Sequence, residues 1–200
     1  WPDGQLSCEK ITVSTQLRQL FPPQIEIEQL QIERLHIGTQ PPEQTEQPLS
    51  LAWPELPWWM GLVEIDLRQL QLNDFNLQEH QTELLRIEQL QGQVVWQDLN
   101  LQLNQLVLHS PEFIIEGHFS LDFANPALKS DLQIQPNIPD SPWQQLSIST
   151  ELQPEKELLL FGPVKLSITD SQDRQINIAG DLGLASEELQ FRQLRLQRPD

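Results

Sequence analysis

The chain has 200 residues, 38% of them hydrophobic, and its 12 basic against 29 acidic side chains give a formal net charge of −17. That is long enough for one sizeable β domain, and a surplus of this sign repels phosphate backbones and anionic headgroups, so nucleic-acid binding is disfavoured. Cys8, the only cysteine, cannot form an internal disulfide, and no window reaches the ~18 uninterrupted apolar residues that a membrane-spanning helix needs.

In chain order, the first strong pattern follows Phe21-Pro22-Pro23, where Ile25, Ile27, Leu30, Ile32, Leu35 and Ile37 are separated by polar residues. Thr39 to Pro48 (TQPPEQTEQP) has no periodicity and many Pro, Gln and Glu, so a flexible loop is expected over 39–48. After the aromatic run LAWPELPWWMG the pattern resumes at Ile65, Leu67, Leu70, Leu72, Phe75 and Leu77. It continues at Ile87 and Leu90, at Leu101, Leu103, Leu106 and Leu108, and at Phe113, Ile115, Phe119, Leu121 and Phe123. Further on it returns from Val164 to Ile168, at Ile176, Ile178, Leu182 and Leu184, and at Phe191, Leu194 and Leu196. Alternation with period two predicts half-buried strands, apolar on one face and polar on the other.

Asn125-Pro126 and Asp170 to Asp173 are expected to be turns, and Pro142 to Leu146 is the best helical candidate, one turn at most. Prolines, among them Pro54, Pro57, Pro111, Pro136, Pro139, Pro154 and Pro163, are read as separators between strands, where a missing amide donor does least harm. Trp1 stands where a complete chain would have Met, the opening residues lack a signal-peptide layout, and the pattern runs on into Arg198-Pro199-Asp200. We therefore expect 1–200 to be a single β-repeat segment of a much longer protein.

A more specific repeat lies on the alternation: an apolar residue, any residue, then Gln-Leu. It occurs as IEQL from Ile27, LRQL from Leu67, IEQL from Ile87, LNQL from Leu103, WQQL from Trp143 and FRQL from Phe191. The first two copies align over a longer span at an offset of forty residues, placing Ile25 on Ile65 and Ile37 on Leu77. Inside the motif the apolar spacing slips by one residue. A β-bulge absorbs such a slip by setting two residues against one on the partner strand, bending the strand while keeping its apolar side chains on one face. Repeated bulges at similar points would coil the whole sheet into a trough.

Fixed chemistry is sparse. His36, His80, His109 and His118 are widely spread and lack metal-site spacing, and Glu116-Gly117-His118 is the nearest approach to a ligand pair. Glu26/Glu28 and Glu187/Glu188 are paired carboxylates read as solvated strand-face and turn residues. No phosphate loop, nucleophile elbow or catalytic triad stands out, so neither enzyme activity, metal nor cofactor is expected. Trp53, Trp58 and Trp59 are read first as core or as a lid over the sheet, with a stacking platform or membrane anchor as the alternative.

The Φ-x-Φ-x-Q-L-x-Φ strands, the stretch LLRIEQLQGQVVWQDLNLQLNQLVLHSPEFIIEGHFSLDF from Leu84 to Phe123, and the Pro-led openings FPPQIEIEQLQI and LPWWMGLVEIDLRQLQL resemble the TamB family of AsmA-like proteins of the Gram-negative envelope. FGPVKLSI followed by INIAGDLGL is similar in the same way. The resemblance covers the chain from about Phe21 onward and is one of repeat style. It implies an all-β fold: a long, curved, antiparallel-rich sheet folded into an open trough, the β-taco, with an apolar lining. It also implies a periplasmic location, an inner-membrane anchor outside this segment, an outer-membrane barrel partner of the Omp85 type, and a role in phospholipid movement or outer-membrane protein assembly. The apolar residues from Ile25 to Leu196 named above, strand by strand, are the candidate lining, Leu35, Ile37 and the Val164 to Ile168 run apart. A closed β-sandwich binding module with no lipid groove is the main alternative. A leucine-rich solenoid is a third, because LRQLQLNDFNL follows that repeat except for Phe75 at the Asn position.

Overall fold

A computed structural model describes residues 4–20, 23–39, 53–54, 56–79, 82–155, 158–185 and 188–197. Alternation produces strands throughout. β1 (Gly4–Ser7), β2 (Lys10–Leu20) and β3 (Pro23–Thr39) precede a short 3-10 helix, Trp58–Leu62. β4 (Glu64–Glu79), β5 (Thr82–Gln97), β6 (Asn100–His109), β7 (Phe113–Asp122) and β8 (Ala127–Pro136) follow. β9 (Trp143–Glu155), β10 (Leu158–Asp170), β11 (Gln175–Leu184) and β12 (Leu189–Gln197) complete the order.

All twelve belong to one open sheet whose spatial order follows the sequence from β3 to β12, with β1 and β2 lying end to end along the outer edge of β3. Every neighbouring pair is antiparallel except β3 and β4, which run parallel. A parallel pair needs a connection that returns to the starting end of the sheet. The described part of that return, Trp53 onward, lies against the sheet end where β5 meets β6. There Trp96 Nε1 donates to the Met60 carbonyl at 2.9 Å, and Gly61 packs against Leu99. Phe123 sits between the rings of Trp53 and Trp96, with centroids 5.7 and 5.6 Å away.

The forty-residue offset is the register of the parallel pair: Ile25 lies beside Ile65, Ile27 beside Leu67, Leu30 beside Leu70, Ile32 beside Leu72, Leu35 beside Phe75 and Ile37 beside Leu77. The Gln-Leu slip coincides with a register shift at five of the six copies. It falls between Leu67 and Leu70 in β4, between Leu103 and Leu106 in β6, opposite Ser14 and Thr15 in β3, beside Trp143 in β9, and opposite Ala179 and Asp181 in β12. At the Ile87 copy the ladder is unbroken. Leu90 and Ile87 face Leu72 and Phe75, which carry the same three-residue step, so the two slips cancel. A seventh copy, Leu17-Arg18-Gln19-Leu20, lies in β2 and also shifts register. Bulges placed this way bend and twist the sheet, which is curved, all-β and open.

Several expectations change. Trp143 to Leu146 opens β9 and is not helical, because its residues continue the ladder to β10; the helical turn lies at Trp58–Leu62. Pro154 and Pro163 sit inside β9 and β10. Both fall where the β9–β10 ladder is interrupted, around Gln153 opposite Phe161, so neither missing donor breaks a bond of that pair. Beside Pro163 the two backbones approach so closely that a methyl group on Gly162 would overlap the Glu151 carbonyl oxygen. Turns fall at 123–126 and 171–173 as expected. Thr39 ends β3, and the rest of the 39–48 loop lies outside the described residues. The sheet has no second layer among the described residues, which removes the closed sandwich, and its hairpin meander is not the all-parallel stack of a solenoid.

Candidate functional site: one apolar face

Residues that are direct partners across a ladder point to the same face of a sheet. Following the register from strand to strand therefore shows which side chains share a surface. Starting at Ile11, the row reads Ile32, Leu72, Leu90, Leu108, Ile115, Ile134, Leu146, Ile168 and Ile176, crossing ten strands without a polar residue. At a strand spacing of ~4.8 Å such a row is about 43 Å long. Nearer the covered end, Leu17, Ile25, Ile65, Trp96, Leu101, Leu121, Leu128 and Leu152 form another, each the ladder partner of the next from β2 to β9. Between them run Ile27, Leu67, Val94, Leu103 and Phe119, and, across the other half, Leu106, Gly117, Leu132, Ile148, Leu166, Ile178 and Leu196.

The candidate residues read from the sequence fall on this one face. Leu30 and Leu70 sit in the row opposite Gly92; Phe75, Leu77 and Ile87 lie beyond the second slip; Phe113 faces Pro136. Phe123 joins the face through Trp96, Leu182 and Leu184 through Phe191 and Leu189, and Leu194 by lying over Gly180. The sequence reading missed Val94, Trp96, Leu128, Leu132, Ile134, Leu146, Ile148, Leu152 and Leu160. Alternation from Leu128 to Ile134 and from Leu146 to Leu152 could have found most of them.

The face is not evenly covered. Leu152 and Leu160 are 1% and 2% exposed, and Leu67, Trp96 and Val164 are also buried. In a single-layered sheet, such burial is possible only where curvature or the return segment closes over the face. The ten-residue row is half-buried at most of its positions and exposed at Ile11 and Ile176. Full burial of a Leu or Ile is worth ~1.5–3 kcal/mol, so each half-buried member retains on the order of 1 kcal/mol for whatever covers it.

The polar face has its own features. A shallow concavity of about 750 Å³ spans β7 to β12, bounded by polar positions such as Glu116, His118, Asp131, Ser147 and Lys165 together with the residues that alternate with them. Gly117, Leu132, Ile148, Leu166 and Ile178 also line it, whereas none of the ten-residue apolar row does. His118 Nε2 lies 3.4 Å from Asp131 Oδ2, with both side chains more than half exposed. Glu26 corrects its sequence reading: it is 4% exposed, not solvated, because Arg18 and Arg68, each in the bulge of a flanking strand, close over its carboxylate. Glu28 accepts from Ser14 Oγ and Gln16 Nε2. His80 and Glu187 lie outside the described residues. Cys8 Sγ donates to the Lys10 and Glu33 carbonyls at 3.5 and 3.6 Å, at the break between β1 and β2. Trp53 packs as expected, whereas Trp58 is 79% and Trp59 52% exposed.

Among the described residues no group of three or more His, Cys, Asp or Glu could hold a metal ion, and no helix is long and apolar enough to cross a membrane. Fold and face together define an open, one-layered β-sheet with a continuous apolar surface. Comparison with known families, curated proteins and solved structures finds no match.

Proposed function

We propose that this chain is part of a periplasmic hydrophobic-groove protein that shelters or conducts phospholipid acyl chains between the inner and outer membranes, or supports outer-membrane protein assembly. The observation that carries the reading is the unbroken apolar row from Ile11 to Ile176, half-buried along most of its length. An acyl chain of about sixteen carbons needs on the order of 12 kcal/mol of apolar shelter at ~0.8 kcal/mol per methylene, which a continuous dry surface supplies and a small pocket does not. Repeated Leu and Ile side chains without a fixed charge bind without selecting one position, so a bound chain can slide. In this reading the parent is anchored at the inner membrane of a Gram-negative bacterium outside this segment and hands its cargo to an Omp85-type barrel, consistent with the TamB-like repeat style.

Mass spectrometry of protein purified through a mild detergent tests the proposal. Co-purifying phospholipid, lost when Leu90 and Ile115 are both changed to Asp, is the expected result; protein that is free of lipid after gentle extraction overturns it. Leu106 is a poorer place for such a charge, since at 8% exposure it belongs to the packed part of the face.

A further inference from the structure

One row of the apolar face is broken at two neighbouring positions. Joined partner to partner, Ile27, Leu67, Val94, Leu103, Phe119, Ser130, Thr150, Val164 and Gly180 cross the sheet from β3 to β11, and the only polar side chains among them are Ser130 and Thr150. These two face each other across the β8–β9 ladder. Both lie in the packed part of the face: Ser130 is 8% exposed, and Leu152 and Val164 beside them are buried. The Thr150 hydroxyl is itself buried and has no hydrogen-bond partner among the described residues.

A buried hydroxyl left without a partner keeps the full penalty of its lost hydration, so the natural partner is one carried by whatever covers the face. Hydroxyls on direct ladder partners, with Cβ atoms ~4.5–5.5 Å apart, are close enough to donate to the two lone pairs of one carbonyl oxygen. Alternation puts the charged side chains of these strands, among them Glu116, Lys129, Asp131, Glu151 and Lys165, on the opposite face. The place therefore suits a neutral acceptor and not a phosphate. It also suits a single carbonyl set in hydrocarbon better than a polypeptide strand, which would bring a carbonyl and an amide at every residue to a row with hydroxyls at two positions. We propose that Ser130 and Thr150 together donate to the ester carbonyl of an acyl glycerolipid whose chain lies along the apolar face. The inference rests on the lipid reading above and deepens it. The lining lets a chain slide, and where β8 meets β9 it holds one station for the glycerol end.

As a test, the full 200-residue chain, freed of lipid, is offered an equimolar mixture of two phosphocholine lipids of equal chain length in mild detergent. One lipid has ester and the other ether linkages, and the bound fraction of each is read by mass spectrometry. The ester lipid should be favoured at least about threefold, the scale of a modest hydrogen bond, and the preference should vanish in Ser130→Ala/Thr150→Val while both lipids still bind. The infrared stretch of the bound ester carbonyl should lie at lower frequency in the unaltered protein than in that variant. Equal binding of the two lipids to the unaltered protein, or a preference that survives in the variant, overturns this proposal and leaves the apolar-face reading standing; retention of neither lipid overturns both. Since Thr150→Val removes an unpartnered hydroxyl, its urea midpoint should not fall. A clear fall would mean that the hydroxyl holds the fold together, and would also overturn the proposal.

Discussion

The interior strands and the two outer strands are written in the same repeat, yet their side chains have opposite fates. Leu152 in β9 and Leu160 in β10 are almost completely buried, whereas Leu17 and Leu20 in β2, and Leu194 and Leu196 in β12, are more than half exposed. All point to the same face. The pattern of a strand therefore fixes which way its side chains point, and the presence of a neighbour on each side, with the curvature that bulges create, fixes how much of each is covered. Burial in this fold belongs to position within the sheet more than to the motif.

The largest test of that difference compares Leu152→Ala with Leu20→Ala. The first opens a cavity where the face is closed and should cost ~2–5 kcal/mol, while the second should stay within about 0.5 kcal/mol, measured as shifts in the urea unfolding free energy. Equal costs would mean that the outer strands are as well packed as the inner ones. A smaller effect is expected at Gly162, where a methyl group meets the Glu151 carbonyl oxygen. Gly162→Ala should cost about 1–3 kcal/mol and raise amide exchange between β9 and β10, leaving β11–β12 unchanged.

The smallest effect concerns the turn between β10 and β11. The Arg174 guanidinium donates to Asp170, as do the backbone amides of Arg174 and Gln172, and together they hold the Asp170 carboxyl below its ordinary value of 3.8. A depressed carboxylate contributes to stability above its unfolded-state value and loses that contribution as pH falls through the lowered folded value. Protection of the Gln172 and Arg174 amides, taken relative to their intrinsic exchange at each pH, should thus fall in that acidic window. In Asp170→Asn that protection should stay level across the window; a pH profile like that of the unaltered protein would show that another group controls the turn.

Much of the fold could be read from the sequence, for a specific reason. Period two gives strand and face together, and the Gln-Leu slip marks where a strand must bulge. The offset that aligns Ile25 with Ile65 proved to be a physical register, although self-similarity alone does not state that two copies lie side by side. The Ile87 copy shows what one strand cannot reveal: its slip leaves no shift because Leu72 to Phe75 makes the same step opposite it. Lacking a donor, Pro163 reads in the sequence as a separator, and the gap in the β9 ladder beside it is what lets it sit inside β10. Glu26 looked solvated since nothing in its own strand foretells that Arg18 and Arg68 from two neighbours converge on it. The apolar face was legible where the repeat is strong and was missed from Leu128 to Leu160, where Ser130 and Thr150 interrupt it.

The account rests on the apolar face, and not the polar one, meeting acyl chains. Photocrosslinking in the cell envelope tests this most directly, with p-benzoylphenylalanine placed at Ile115 or Ile134 on the apolar face and, one residue away, at Glu116 or Gln133 on the polar face. Phospholipid adducts at the first pair and none at the second are the result predicted. Adducts on both faces alike, or on neither, would contradict it.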